Sequence, residues 1–221
     1  MRGGAAFQSY SPPLLTRTFP LTENPISEVG IWNNGKADGL DWNNVQTTPG
    51  FAFGTAISGA ATFDDNIAQL KSTYWLAPAN QFAQGVISRA GGYAPTDGNF
   101  HECTLLLRFS ISAHDAHGYE ILWGTTNATY VDIVRWNGAV TDFTQLVHVT
   151  GVGAPANGDV FRAEIVGTVI TAKINGTTVA SYETASDGTK WSTGQPGMGF
   201  FLEGTAVLAN MGWSSYTIGS L

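Results

Sequence analysis

Cysteine is almost missing from this chain. Cys103 is the only one, which excludes an intramolecular disulfide and any cysteine-based zinc site. It sits in the apolar run "CTLLL" and reads as a buried, inert thiol. Charge is scarce too: Asp, Glu, Lys and Arg make up 12% of residues, where about a quarter is usual. The balance is acidic, with a formal net charge of −7 and no run of Lys or Arg. Such a surface repels phosphate backbones and excludes nucleic acid as a partner. No apolar stretch approaches the roughly eighteen residues that a membrane-spanning helix needs. A Gly-x-Ser-x-Gly elbow, a phosphate loop and a dinucleotide fingerprint are all absent. Helical periodicity is nearly absent as well. The single candidate is "FDDNIAQLKSTYW" (63–75), which reads either as one short helix behind Asp64 and Asp65 or as a loop.

What the chain does have is strand chemistry. Hydrophobic residues reach 43% and glycines number 27, the make-up of short strands joined by tight turns. "FHECTLLLRFSIS" alternates, with Cys103, Leu105, Leu107, Phe109 and Ile111 on one face and Glu102, Thr104, Leu106, Arg108 and Ser110 on the other. "TYVDIVRW" and "AVTDFTQLVHV" are separated by Asn137-Gly138, and "GTVITAKI" and "TTVASYET" by Asn175-Gly176. Asn-Gly suits a type I′ hairpin turn, in which both central residues need positive φ. "GMGFFLEG" and "NMGWSSYTIG" add two more strands. The pattern predicts an all-β antiparallel sandwich with at most one short helix. Residues 1–20 read as an extended N-terminal arm and 21–221 as one sandwich domain.

"TENPISEVGIWNNG", "NQFAQGVIS", "LLLRFS", "GYEILW", "YVDIVRWNG", "GDVFRAEIVGTVITAKINGTTV", "STGQPGMGFF" and "NMGWSSY" follow in order along the chain. Together they resemble the concanavalin A-like lectin/glucanase superfamily, particularly laminin-G-like jelly-roll domains of bacterial and phage proteins. The resemblance runs over roughly residues 22–216. It implies two antiparallel sheets, one concave, with ligands held in the concave groove or on the rim loops. It does not by itself fix activity, because the fold hosts lectins, hydrolases, lyases and structural modules.

The stretch "GYEILWGTTNATYVDIVRWNGAVTDF" (118–143) poses the central question, whether Glu120 and Asp132 are an acid–base pair. Glycoside hydrolysis needs two carboxyls about 5 to 9.5 Å apart, and glucanases of the resembled fold supply them from one strand as Glu-x-Asp-x-Glu or Glu-x-Asp-x-x-Glu. That spacing is missing here; Glu102, Glu120, Asp132, Asp142, Glu164, Glu183 and Glu203 each stand alone in their run. A pair across neighbouring strands is the remaining route, with Glu120 and Glu102 as its candidates. The simpler expectation pairs Glu120 with Arg135 as opposite charges on adjacent strands, contributing roughly 0.2 to 1 kcal/mol.

Aromatic residues supply the candidate binding surface. Trp42, Trp75, Tyr93 and Trp191 lie in loop-like surroundings, Trp123 and Trp136 end strands, and Arg135 adjoins Trp136. Such rings stack on the C–H face of a pyranose. In "HDAHG", His114, Asp115 and His117 make only part of a metal site and read as a solvated turn, while His101 and His148 read as packed within strands. The resemblance implies rim-loop calcium, for which Asp64, Asp65, Asp97 and Asn99 are oxygen ligands of the right kind. No cofactor is required. Asn127 and Asn175 lie in Asn-x-Thr sequons, of consequence only in a eukaryotic secretory pathway.

The N-terminal residues lack the apolar core of a secretory signal. The expected setting is extracellular or a virion surface, as a non-catalytic, lectin-like decoration, fibre or adhesion module. Its expected partners are a glycan and, through residues 1–18, capsid or fibre proteins, with homo-oligomers an open option. The alternatives are a secreted polysaccharide hydrolase or lyase and a purely structural capsid-associated subunit.

Overall fold

A computed structural model of the chain describes residues 14–57, 65–89, 99–139, 141–187, 191–204 and 207–221. The strands in chain order are β1 (Leu14–Arg17), β2 (Trp32–Asn34), β3 (Asn43–Thr48), β4 (Phe51–Gly54), β5 (Asn66–Leu70), β6 (Gln81–Ser88), β7 (His101–Ser112) and β8 (Asp115–Thr125). They continue as β9 (Thr129–Ala139), β10 (Phe143–Thr150), β11 (Val160–Val166), β12 (Val169–Ile174), β13 (Thr177–Glu183), β14 (Gln195–Leu202) and β15 (Gly212–Ser220). Single 3₁₀ turns at Lys36–Asp38, Thr184–Asp187 and Leu208–Asn210 are the helical elements among the described residues.

The strands form two layers. The front sheet runs β10-β9-β8-β7-β14-β5, with β2 also on β5. The back sheet carries β4 and β1 on β15, followed by β6-β11-β12-β13. β3 joins the layers: Asn43 and Asn44 pair in parallel with Asn66 and Ile67 of β5, and Val45–Thr48 pair antiparallel with β4. All other pairings are antiparallel, as the sequence predicts.

The core between the layers follows from alternation. β7 contributes Cys103, Leu105 and Leu107, β8 Tyr119, Ile121 and Trp123, and β9 Val131 and Ile133. The back sheet answers with Phe161, Ala163 and Ile165, and with Trp213, Tyr216 and Ile218. Cys103 is buried and unpaired, and burial pushes its thiol pKa up, which leaves it inert. Unusually for an exposed sheet face, the front sheet carries a second apolar cluster outside. Trp42, Ile67, Leu106, Phe109, Leu122, Tyr130, Val134 and Trp136 form it.

Several local expectations are corrected. Of the stretch 63–75, the described residues 65–75 are not helical: Asn66–Leu70 is β5, a fully buried strand, and a turn follows it. Helical spacing of Ile67, Leu70 and Trp75 was a coincidence of a short apolar run that reads equally well as a strand. Asn175 and Gly176 do make the tight hairpin, with φ of 50° and 81°. Asn137 and Gly138 instead lie inside β9, paired with His117 and Ala116, and the chain reverses after Ala139. The β7 alternation breaks at a bulge between Leu107 and Ser110. Arg108 takes a φ of 46° there, and Phe109 joins the outer cluster beside Leu106. Arg108 is buried, and its guanidinium donates to the carbonyls of Ala79 at 2.7 Å, Gly167 at 2.8 Å and Trp191 at 3.2 Å. Of the expected arm, Leu14–Arg17 is strand β1 on β15, and Phe19 is buried in the core.

Gly85 shows how tightly the back sheet closes. A Cβ there would lie 2.2 Å from Cε3 of Trp213, a fully buried ring. Gly85→Ala is therefore expected to cost about 1–3 kcal/mol through overpacking. Thermal denaturation should show a drop of roughly 2–4 °C for each of those kilocalories. An unchanged melting temperature would contradict the packing described.

Candidate functional site

The register of β7, β8, β9 and β10 lays out the outer face of the front sheet in rows. Glu102 lies opposite Gly124, which lies opposite Tyr130. In the next row Thr104, Leu122, Asp132 and His148 align. The row after that holds Leu106, Glu120, Val134 and Gln145. Three carboxyls from three strands thus point to one face, which strand-by-strand reading kept apart. Glu120 and Asp132 are diagonal neighbours on adjacent strands, a relation that spaces side chains about 7–8 Å apart.

Glu102, Glu120 and Asp132 line a groove of about 480 Å³, together with Asp65, Leu122, Val134, Trp136, Thr141, Phe143, Gln145 and Phe201. Aromatic rings stand at both ends. Trp136 packs edge-on against Trp42 at 5.5 Å and lies 5.5 Å from Phe143. At the other end Phe100 lies 6.5 Å from Tyr130 and 5.9 Å from Phe201. Phe143 is 54% exposed and is the ring most open to a ligand.

Each carboxyl has its own environment. Asp132 accepts from Gln145 Nε2 at 2.6 Å and lies 2.6 Å from His148 Nδ1. Glu120 accepts from the indole N–H of Trp136 at 2.7 Å. Burial raises the Glu120 pKa, and the charge of Asp132 adds to the rise, against the lowering effect of the indole bond. Glu102 is bonded to the Tyr130 hydroxyl. Burial pushes its pKa up to about 8, and the charges of Glu120, Asp132 and Glu203 add to that against the Tyr130 bond. At neutral pH Glu102 is therefore mostly an uncharged acid.

The expected Glu120–Arg135 pair does not form. The register sets Glu120 against Val134 and Tyr119 against Arg135, so the two side chains lie on opposite faces of the sheet. Arg135 donates instead to Asn137 Oδ1 at 2.8 Å. Of the candidate stacking rings, Trp136 reaches the groove and Trp42 lies buried beneath its floor. Trp123 is corrected to a core residue, its indole N–H donating to the Gly153 carbonyl at 3.1 Å. Trp75 and Trp191 are half-buried against the inner core, with Trp191 donating to the Trp136 carbonyl at 2.8 Å. Tyr93, Asp64 and Asp97 lie outside the described residues. Asp65 lines the groove, whereas Asn99 sits against Gly204. Among the described residues no three acidic, histidine or cysteine side chains converge to hold a metal. His114 pairs with Asp41, and His117 with Asp115. Sequence reading overlooked Tyr130, Phe143, Gln145 and Phe201, and placed His148 only as packed. Tyr130 shares the period-two face of Asp132 and Trp136, the one available signal.

No protein-family model matches the sequence, and neither does any curated protein. Solved structures match across nearly the whole chain. A glycoside hydrolase family 16 endo-glucanase from Bacteroides ovatus superposes with a TM-score of 0.58 at 9% identity, covering 92% of this chain and 99% of that one. The carbohydrate-binding module CBM66 from Bacillus subtilis gives 0.53 at 12% identity, covering 88% and 95%. A κ-carrageenase from Zobellia galactanivorans gives 0.51 at 11%, covering 96% and 97%. The fold is the concanavalin A-like jelly roll. In this jelly roll the groove lies on the outer face of the front sheet, and its carboxyls come from three strands.

Linkage makes the Glu102 environment measurable. A carboxyl whose pKa is raised on folding contributes stability that is fully present below its unfolded value and lost as pH rises through about 8. Wild-type protein should lose melting temperature between pH 5 and pH 9 more steeply than Glu102→Gln, which keeps the uncharged shape at every pH. Parallel slopes for the two proteins would contradict a buried acid at this position.

Proposed function

We propose that the protein binds carbohydrate in the groove of the front sheet. The observation that carries this is the combination of an open groove, an apolar floor, flanking aromatic rings and several hydrogen-bonding carboxyls among them. Sugars present that mixture in reverse, with apolar C–H faces and a ring of hydroxyl donors. The neighbours support the reading, since one is a carbohydrate-binding module and others act on glycans. The expected setting on a particle or cell surface is part of this proposal. β1 pairs with β15 in the back sheet, the layer away from the groove.

Hydrolysis of the bound chain is the second reading, favoured by one observation. Glu120 and Asp132 are diagonal neighbours in the groove, and burial keeps Glu120 more easily protonated than an ordinary carboxyl. In such a reaction Glu120 gives its proton to the glycosidic oxygen as the C–O bond breaks. Asp132, oriented by Gln145 and His148, takes a proton from the water that adds to the anomeric carbon.

Purified protein on a panel of immobilised polysaccharides, with and without calcium, tests both readings. Phe143→Ala and Glu120→Gln are expected to weaken retention about tenfold or more while leaving the melting temperature nearly unchanged. Retention equal to wild type would place binding elsewhere. New reducing ends that appear with wild type and vanish with Glu120→Gln would establish the enzyme. Retention without new ends would establish the binding module.

A further inference from the structure

We infer that the glycan taken by this groove carries ammonium groups, as in a polymer of free amino sugars. The inference rests on the carbohydrate-binding reading above and concerns what that site selects. The groove lining includes Asp65, Glu102, Glu120 and Asp132, and no Lys or Arg. Glu120 and Asp132 are each only 6% exposed, so their carboxyl groups lie against the low-dielectric wall that Leu122, Val134, Trp136 and Phe143 provide.

Among the described residues, the nearby basic side chains have partners of their own. Arg135 is on the opposite face and bonded to Asn137, and Arg108 is spent on three backbone carbonyls. Lys36 donates to Asn43 Oδ1 at 2.9 Å. Among the described residues the base hydrogen-bonded to one of these carboxyls is His148, on Asp132. The charged neighbours of Glu102 are Glu120, Asp132 and Glu203, all acidic.

A sulfated or uronic acid chain laid in this groove would set its anionic groups against buried acidic side chains, away from water. A neutral chain would satisfy the carboxyl hydrogen bonds but bring no positive charge to them. An ammonium group supplies both the donors and a positive charge that favours the ionised form of the carboxyls it meets. Preference for it over an N-acetylated unit is thus built in by repulsion of one class and attraction of the other.

The test is calorimetric titration of the full chain at pH 6, where the amine is protonated. Short glucosamine oligomers would be compared with N-acetylglucosamine oligomers and with uronate oligomers of equal length, at low and moderate salt. The expected result is at least tenfold tighter binding of the free-amine oligomer, declining as salt rises, and no binding of the uronate. Glu120→Gln combined with Asp132→Asn should erase that preference, with the melting temperature recorded to confirm folding. Equal affinity for amine and N-acetyl oligomers would overturn the inference while leaving carbohydrate binding intact. A preference that survives in the double variant would assign it to the acidic surface at large and overturn the inference too. Absence of binding by every oligomer and by the polysaccharide panel would remove both readings together.

Discussion

Strand register across β7, β8 and β9 is the constraint on which everything else in this protein depends. Because side chains alternate, one shift of a single residue would exchange the two faces of a strand. In the observed register Leu105, Ile121 and Ile133 enter the core in line with one another, and Glu120, Asp132 and Glu102 all emerge on the other side. The energy that sets the register is hydrophobic, yet its consequence is chemical. Burying three rows of apolar residues inside fixes three carboxyls outside.

Those carboxyls are not in water. The outer face of the front sheet has an apolar cluster of its own, made by Trp42, Phe109, Leu122, Val134 and Trp136. The bulge at Arg108 contributes to it by turning Phe109 to that side. Carboxyls set in such surroundings hold their protons more tightly, which is why burial leads the causes of the raised pKa at both Glu102 and Glu120. Perturbed acids in a groove are the mark of a site more than of a scaffold, and cross-strand ion pairs elsewhere behave differently. Glu164, bonded to Arg162 and Lys173 at 2.6 Å and 2.5 Å, has its pKa lowered despite the opposing effect of burial. It is the decorative pair that sequence reading expected at Glu120.

The sandwich was legible because period-two alternation is a local signal, and "FHECTLLLRFS" and "TYVDIVRW" carry it over whole strands. The resemblance to jelly-roll domains named the same architecture. The site was less legible because its strand residues come from β7, β8, β9, β10 and β14 and meet only through pairing partners that no single strand encodes. Glu120 offers Arg135 or Val134 as a neighbour depending on a shift of one residue, and the tight turn between Thr125 and Thr129, which joins β8 to β9, decides which. Trp123 and Trp136 look alike in sequence, each closing an alternating run. Parity separates them, Trp123 sharing the face of Ile121 and Trp136 that of Val134. His148 acquires meaning only opposite Asp132.

The most direct measurement of the central claim is the indole N–H spectrum of the protein titrated with oligosaccharide. The Trp136 N–H points at Glu120 in the groove floor, whereas those of Trp32 and Trp123 are bonded to Glu28 and to Gly153 away from it. A ligand seated between the aromatic ends should shift the Trp136 resonance and leave the other two in place. Binding that moves Trp32 or Trp123 while Trp136 stays fixed would contradict the account.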